Sequence, residues 1–373
     1  MITFTRRAAL ATAASFGVSL ALGAERQTLR AAAASRGRTY GCEIDSPDAR
    51  QGAAKVSDDP PFLDAVVRES ALLVSGGVMK WHFIEYPEGN LHFGAGDDLI
   101  SFATSNGLRV RGHTLVWHQN LPGWFPTDPT ADRTEQLLRT HISQEVGHWK
   151  GKLTSWDVVN EAIEPAAKKP GGLRPSLYYN ALGQNYIDLA FQLAHDADPD
   201  VLLVYNEYGL EYPSDAHEAR RRAVIGLLAG LKKRGVPCGA LGLQSHLVAS
   251  AKAAAPFDAK VYRAFLQEVA EMGFEILITE LDVNDRGISV SDPRRDTLIA
   301  DEIGRVLDTA LDERSVSTVV TWGLSDRYSW LNRTEVQKRA DGAGTRGLPL
   351  DDKLAPKPIY DRMIKSFASA RQR

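Results

Sequence analysis

Two glutamates in this chain stand where a carboxyl group is costly to keep. Glu161 follows the apolar run at residues 155–160, and Glu280 follows the run at 276–279. A carboxyl at the end of a buried strand has to be hydrogen-bonded or put to use. Two of them, on different strands but aimed at one space, can combine acid and nucleophilic work. One carboxylic acid protonates a leaving oxygen while the other carboxylate attacks the carbon that loses it, which is the chemistry of glycosidic cleavage. Two bare glutamates fit a structural role as well, but their company favours chemistry. Asn160 stands beside Glu161 with an amide to offer a sugar hydroxyl, Gln244 and His246 close another short run, and an imidazole near a nucleophile can fix its ionisation. Trp117, Trp322, Trp330 and Tyr208 add flat apolar faces against which a pyranose can pack, whereas Trp149 and Trp156 read as core.

Other chemistries have weaker signatures. His113 and His118 are five apart, and no H-E-x-x-H or clustered Asp/His set accompanies them, so a metal-dependent hydrolase is disfavoured. Cys42 and Cys238 have neither metal-ligand nor redox spacing and read as two buried free thiols, with a disulfide left open. The basic runs 220–222 and 232–234 at the two ends of one helical pattern read as a solvated face. Asn332-Arg333-Thr334 has the pattern of a glycosylation acceptor.

The elements that must carry these residues follow from the periodicity. Strands are expected at 39–44, 72–80, 109–117, 155–160, 201–206, 240–244, 276–280 and 318–323, with helical patterns at 61–70, 97–106, 134–150, 187–197, 216–234, 259–272, 295–312 and 357–368. Eight strands, each followed by a helix and with no Pro/Ser-rich linker, predict a single-domain α/β protein, a (β/α)8 TIM barrel. An open doubly wound sheet would favour a Gly-rich phosphate turn after the first strand, and Cys42-Glu43-Ile44-Asp45 is not one. The barrel further predicts that chemistry collects at the carboxyl ends of the strands. Lys80, His113, Trp117, Asn160, Asn206, Gln244, Glu280 and Trp322 fall there.

The chain has 373 residues, 43% hydrophobic and 24% charged, enough for a large core. Its net charge of −3 argues against a nucleic-acid partner held by phosphate neutralisation. Residues 1–24 combine Arg6-Arg7 with a soft apolar stretch ending in small residues, the pattern of a twin-arginine signal peptide, so export to the periplasm or beyond is expected. Residues 25–38 read as a disordered lead-in and 39–370 as the catalytic barrel. No other stretch suggests a membrane span, and the mature protein is expected to be a soluble monomer.

Five motifs then carry a resemblance: G-H-T-L-V-W-H at 112–118, W-D-V-V-N-E-A at 156–162, G-L-Q-S-H-L at 242–247, I-T-E-L-D at 278–282 and T-W-G-L-S-D-R-Y-S-W at 321–330. In that order the chain resembles family 10 of the glycoside hydrolases, the endo-β-1,4-xylanases, over about residues 39–370. The resemblance implies retaining hydrolysis of xylan on a (β/α)8 barrel, with no metal or organic cofactor. It makes Glu161 the acid/base and Glu280 the nucleophile, with Asn160 holding the 2-hydroxyl of the sugar being cleaved. His246 would bond Glu280 and be held by Asp282, with Gln244 nearby. Lys80, His113 and Trp117 would line the glycone side, and Trp322 and Trp330 would close over it. Asn206 and Tyr208 match an aglycone-side N-D-Y motif, with Glu207 in place of its Asp. Two departures stand out. Asn120 takes the place of a usual Gln as a sugar contact. Gly76 and Gly77 replace a usual Glu-Asn pair that grips the second glycone sugar, a role that Glu43 or Asp45 could take over. Alternatives left open are a retaining hydrolase of another β-glycan and a catalytically silent carbohydrate-binding barrel, and endo versus exo cleavage stays undecided.

Overall fold

The computed structural model describes residues 26–44, 58–251, 256–333 and 337–373. The leader expected at 1–24, Asp45, and Thr334 of the acceptor pattern lie outside the described residues. Among the described residues nine strands follow one another: β1 (Thr39–Glu43), β2 (Leu72–Val74), β3 (Arg109–Trp117), β4 (Ser155–Asn160), β5 (Leu202–Glu207), β6 (Ala240–Leu243), β7 (His246–Ser250), β8 (Glu275–Gly287) and β9 (Val316–Thr321). Each of β1 to β5 pairs in parallel with the next; β6 pairs with β8, β8 with β9, and β9 returns to β1. That ring of eight parallel strands with helices outside is a (β/α)8 barrel.

The ninth strand stands above the ring. β8 runs on past Glu280, and β7 pairs with this extension from His246 opposite Asp282 to Ser250 opposite Gly287. The sequence pattern ends this strand at Glu280 and assigns no strand to β7, because Asp282, Asn284 and Asp285 have the composition of a loop although the fold buries them. β2 is shorter than expected. Ser75 turns the chain out of the sheet, its Oγ accepting from the backbone N–H groups of Gly77 (3.1 Å) and Val78 (2.9 Å). Lys80 therefore arrives on a turn rather than on a strand.

Helix boundaries follow their caps. Ala131–His148 starts where Thr130 accepts from the Arg133 N–H, and Asp215–Lys233 starts at Ser214 with Asp215 and Glu218 in its first turn and two lysines in its last. In the latter helix the basic run 220–222 is only partly a solvated face. Arg221 is buried and donates to the carbonyls of Leu210 (2.9 Å) and Tyr212 (2.8 Å), and Arg220 lies 4.1 Å over the Tyr208 ring; helical periodicity turns both towards the loop after β5.

The stretch expected as a disordered lead-in is instead a packed helix, Leu29–Ala34, capped by Thr28. Leu29, Ala32 and Ala33 are fully buried, and the Leu29 N–H donates to Glu69 (3.1 Å), which also accepts from Tyr360 of the last helix (2.9 Å). An alanine run is featureless in sequence, yet its small side chains let a short helix lie close against its neighbour. Cys42 is buried, Cys238 half-buried, and both are free. No described helix is long and apolar enough to cross a membrane.

The main core fills the space between sheet and helices. Smaller apolar clusters, Leu72 with Val74, Val320 and Trp322, and Val204 with Ala240 and Leu277, pack separately on the strands' other face. On the helix side, a Cβ at Gly112 would come within 2.1 Å of the Trp156 ring. Gly112→Ala is therefore expected to destabilise the barrel by ~1–3 kcal/mol, read as a lower thermal midpoint; an unchanged midpoint would show that the indole can move aside.

Candidate active site

A cleft of about 1300 Å³ opens at the carboxyl ends of the strands, and both Glu161 and Glu280 line it. Each carboxylate is delivered at a break in regular backbone. Glu161 follows β4 directly and takes a left-handed conformation (φ 58°), costly for a residue with a side chain, while its N–H still donates to the Asn206 carbonyl (2.9 Å). At Glu280 the pairing of β8 with β9 shifts register between Ile278 and Leu281, which re-aims the side chains of that stretch.

Between the two carboxylates runs a chain of amides. Asn206 is oriented by Thr279, whose hydroxyl donates to the Asn206 Oδ1 (2.7 Å). Its Nδ2 is thereby free to donate to Glu280 (2.7 Å) and to the Asn160 Oδ1 (2.9 Å). Gln244 donates from Nε2 to the same Asn160 oxygen (3.3 Å) and to Glu161 (3.0 Å). Asn160 is thus held by two amide donors, and its own Nδ2 faces the Glu161 carboxylate at 3.4 Å.

Glu280 also meets two imidazoles. His246 donates from Nε2 to Glu280 (3.1 Å) and from Nδ1 to Asp282 (2.9 Å). Burial favours the neutral ring, but the Asp282 charge and these hydrogen bonds outweigh it and raise the His246 pKa well above the ordinary range. With both nitrogens donating, the ring is an imidazolium. His113 Nδ1 bonds Asp157 (2.8 Å) and lies 3.9 Å from Glu280; Asp157 in turn is paired with the buried Arg111. His113, Asp157 and Glu280 are close enough to share a cation, yet Arg111 already brings a positive charge to Asp157. Burial pushes the Glu280 carboxyl up, but the His246 hydrogen bond and the charges of His113, His246 and Lys80 together bring it down to about 2.

The aromatic rim is assembled around this dyad. Lys80 Nζ sits 4.7 Å over the Trp117 ring, Trp322 meets His113 edge-on at 5.2 Å, and Trp330 donates to Asp282 (2.5 Å). Tyr208 lines the cleft on the other side.

With that geometry in place, comparison with known proteins is decisive. The sequence profile of glycosyl hydrolase family 10 matches residues 28–366. The chain belongs to glycosyl hydrolase family 10. Among characterised relatives, endo-1,4-beta-xylanase B of Thermotoga neapolitana is 32% identical over 309 residues, covering 81% of this chain and 82% of that protein. Endo-1,4-beta-xylanase 3 of Hypocrea jecorina is 34% identical over 294 residues, covering 77% of this chain and 72% of its own. The crystal structure of xylanase 10B from Thermotoga petrophila in complex with xylobiose superposes with a TM-score of 0.80 at 30% identity, over 92% of this chain and 98% of that one.

Of the residues expected at the site of this family 10 member, Lys80, His113, Trp117, Asn160, Glu161, Tyr208, Gln244, His246, Glu280, Asp282, Trp322 and Trp330 all line the cleft. Two do not. Asn206 is fully buried and serves as the amide link behind the dyad rather than as aglycone wall. Asn120 is not among the residues that line the cleft, and Gln119 lines it instead. The usual acid at position 76 has a structural counterpart: a Cβ at Gly76 would lie 2.5 Å from the Glu43 carboxylate, which occupies that space from β1.

Residues that sequence reasoning passed over are Asp157 and Arg111, which support His113, and Tyr212 and Phe257 at the far end of the cleft. The first two were legible in principle, since Arg111 and His113 share a face of β3 by alternation and Asp157 lies inside a quoted motif. The last two sit in loops with no local signature.

Because the folded Glu280 value lies below the ordinary 4.5, its contribution to stability is present above pH 4.5 and fades as pH falls towards 2. The His246 contribution has the opposite sign: present below 6.5, it is lost as pH rises through the raised value. Replacing His246→Ala is expected to move the Glu280 titration upward by ~1 unit or more, followed by ¹³C NMR of the glutamate δ-carbons; a midpoint still near 2 would assign the depression to other groups.

Proposed function

We propose that this family 10 enzyme hydrolyses β-1,4-xylosidic bonds within xylan chains, with retention of configuration at the anomeric carbon. One observation carries the reading: a buried carboxylate held ionised by an imidazolium lies one amide chain away from a second carboxyl group in the same aromatic-rimmed cleft. Glu280 attacks the anomeric carbon while Glu161 gives its proton to the departing glycosidic oxygen. The glycosyl ester on Glu280 is then opened by a water whose proton returns to Glu161, which restores both groups. Asn160, fixed by Asn206 and Gln244, faces the place where the 2-hydroxyl of that sugar would sit. Lys80, His113 and Trp117 serve the glycone side and Tyr208 the aglycone side. The xylanase relatives support xylan as substrate. The cleft exceeds the ~300–1,000 Å³ of pockets that enclose one small ligand, which favours cleavage inside a polymer. A polymer cannot cross a membrane, so the export expected from the leader fits the same substrate.

A second reading, another β-glycan as main substrate, draws on Gly76 and Gly77, where the family-typical grip on the second glycone sugar is missing. The Glu43 carboxylate in that space is proposed to restore it. Loss of a charged hydrogen bond costs ~1.5–3 kcal/mol, so Glu43→Ala should raise KM for xylotetraose roughly tenfold or more with little change on aryl xylosides that leave that subsite empty. Equal KM values for the two enzymes would return the specificity question to the glycines.

The direct test is product analysis on xylan, mixed-linkage glucan and cellulose oligomers, with Glu280→Ala as control. Xylan should be cut into short oligomers; Glu280→Ala should lose on the order of 10⁴-fold in kcat, and azide should restore turnover with inverted product. Unchanged xylan cleavage by Glu280→Ala would sink the mechanism, and a preference for glucan would sink the substrate.

A further inference from the structure

The left-handed backbone at Glu161 is held by a side chain from further along the same connection. Arg174 lies in the segment between β4 and β5, where Leu173 bridges Ile163 in an isolated antiparallel pair. Its Nε donates to the Glu161 carbonyl (2.8 Å), its backbone N–H to the Ala162 carbonyl (2.7 Å), and its Nη2 to the Ile163 carbonyl (3.3 Å). Three consecutive carbonyls of the turn that aims Glu161 are therefore gathered by one residue. The same Nη2 donates to the Tyr208 hydroxyl (2.9 Å), on the cleft wall that faces the departing sugar.

The other side of the turn is fixed as well. The Ile163 N–H donates to Glu207 (3.1 Å), which also accepts from the Tyr205 hydroxyl (2.5 Å) and the Tyr208 N–H (3.1 Å). Glu164 and Arg220 complete the surroundings: Glu164 lies 3.4 Å from Arg174 and 3.6 Å from Arg220. None of these side chains hydrogen-bonds Glu280: His246 and His113 come from β7 and β3, and Asn206, although it stands between Tyr205 and Glu207 on β5, reaches Glu280 through its own amide. A non-glycine residue at φ 58° keeps that conformation only where its surroundings over-determine it. Arg174 supplies most of that determination on the carbonyl side.

We propose that Arg174 is a positioning residue for the acid half of the reaction: it fixes the Glu161 carboxyl over the glycosidic oxygen and ties that placement to Tyr208, while leaving nucleophilic attack by Glu280 untouched. The inference rests on the xylanase reading and on Glu161 as the acid. Its consequence is specific to one proton. When the leaving group is a poor one, the glycosidic C–O bond breaks only as the Glu161 proton reaches the oxygen, and misplacement of that carboxyl by ~1 Å costs ~10²-fold. When the leaving group departs as a stable anion, the bond to Glu280 forms and the C–O bond breaks without any proton from Glu161, so misplacement is not felt.

The experiment compares kcat/KM, which reports only the glycosylation step, for phenyl β-xylobioside and 2,4-dinitrophenyl β-xylobioside in wild type, Arg174→Met and Arg174→Lys. The readout is the ratio of the two values measured on one sample, so any loss of folded protein cancels. Arg174→Met is expected to lose ~10²-fold on the phenyl substrate and less than about threefold on the dinitrophenyl one. Arg174→Lys keeps the charge beside Glu164 but cannot hold two carbonyls and the Tyr208 hydroxyl together, and should shift the ratio by roughly tenfold. An equal loss on both substrates, or none on either, overturns the proposal and leaves Arg174 a structural residue. Failure of the wild type to cleave either xylobioside is a separate result that would instead bring down the substrate assignment on which the inference stands.

Discussion

A buried negative charge is the constraint around which this barrel mouth is organised. Glu280 is almost fully buried, and an isolated carboxylate there would give up its charge rather than bear the loss of water. It stays ionised because each neighbour is itself held in the right state. His246 keeps its second proton because Asp282 accepts it, His113 is oriented by Asp157, Asp157 is balanced by Arg111, and Asn206 presents its donor because Thr279 has claimed its oxygen. These residues come from β3, β4, β5, β7 and β8. A closed parallel barrel is what brings the ends of so many strands to one point, and the rigidity of the packed core keeps each partner within a hydrogen bond of the next.

The two carboxyl groups sit in different company, as the proposed division into acid and nucleophile requires. Glu280 faces cations; the Glu161 carboxylate meets the neutral amides of Gln244 and Asn160. Separate environments for a pair of like groups are how one site runs acid and nucleophile at once. The backbone reflects the same division: one carboxylate stands where the β8 pairing shifts, the other on a left-handed turn just beyond β4.

Much of this was legible in the sequence because strand alternation and motif order are local properties. β3 and β4 were bounded to the residue, and the cleft gathered twelve of the fourteen residues expected at the site. What was hidden depends on tertiary context. Asn120 and Gln119 differ by one position, and only the path of the loop decides which faces the substrate. Asn206 carries the same amide whether it lines a wall or links Glu280 to Asn160; burial alone separates the roles. The β7 strand and the packing of the alanine-rich helix arise from partners distant in the chain, which no window of sequence contains.

That alanine-rich helix limits how the chain can be processed. Leu29–Ala34 is buried against the last helix, Arg38 donates to the Arg371 carbonyl (2.5 Å), and Glu69 joins both ends through Leu29 and Tyr360. The two termini thus act as a buckle under the barrel floor. A peptidase that trimmed the chain a few residues beyond Thr28 would not remove a slack tail; it would unfasten the floor and strip a partner from a buried carboxylate. Arg26 and Gln27, which meet Asp361 and Tyr360, already belong to this fastening, so the share of the amino-terminal segment that the fold needs is set by packing at the far end of the molecule from the catalytic cleft.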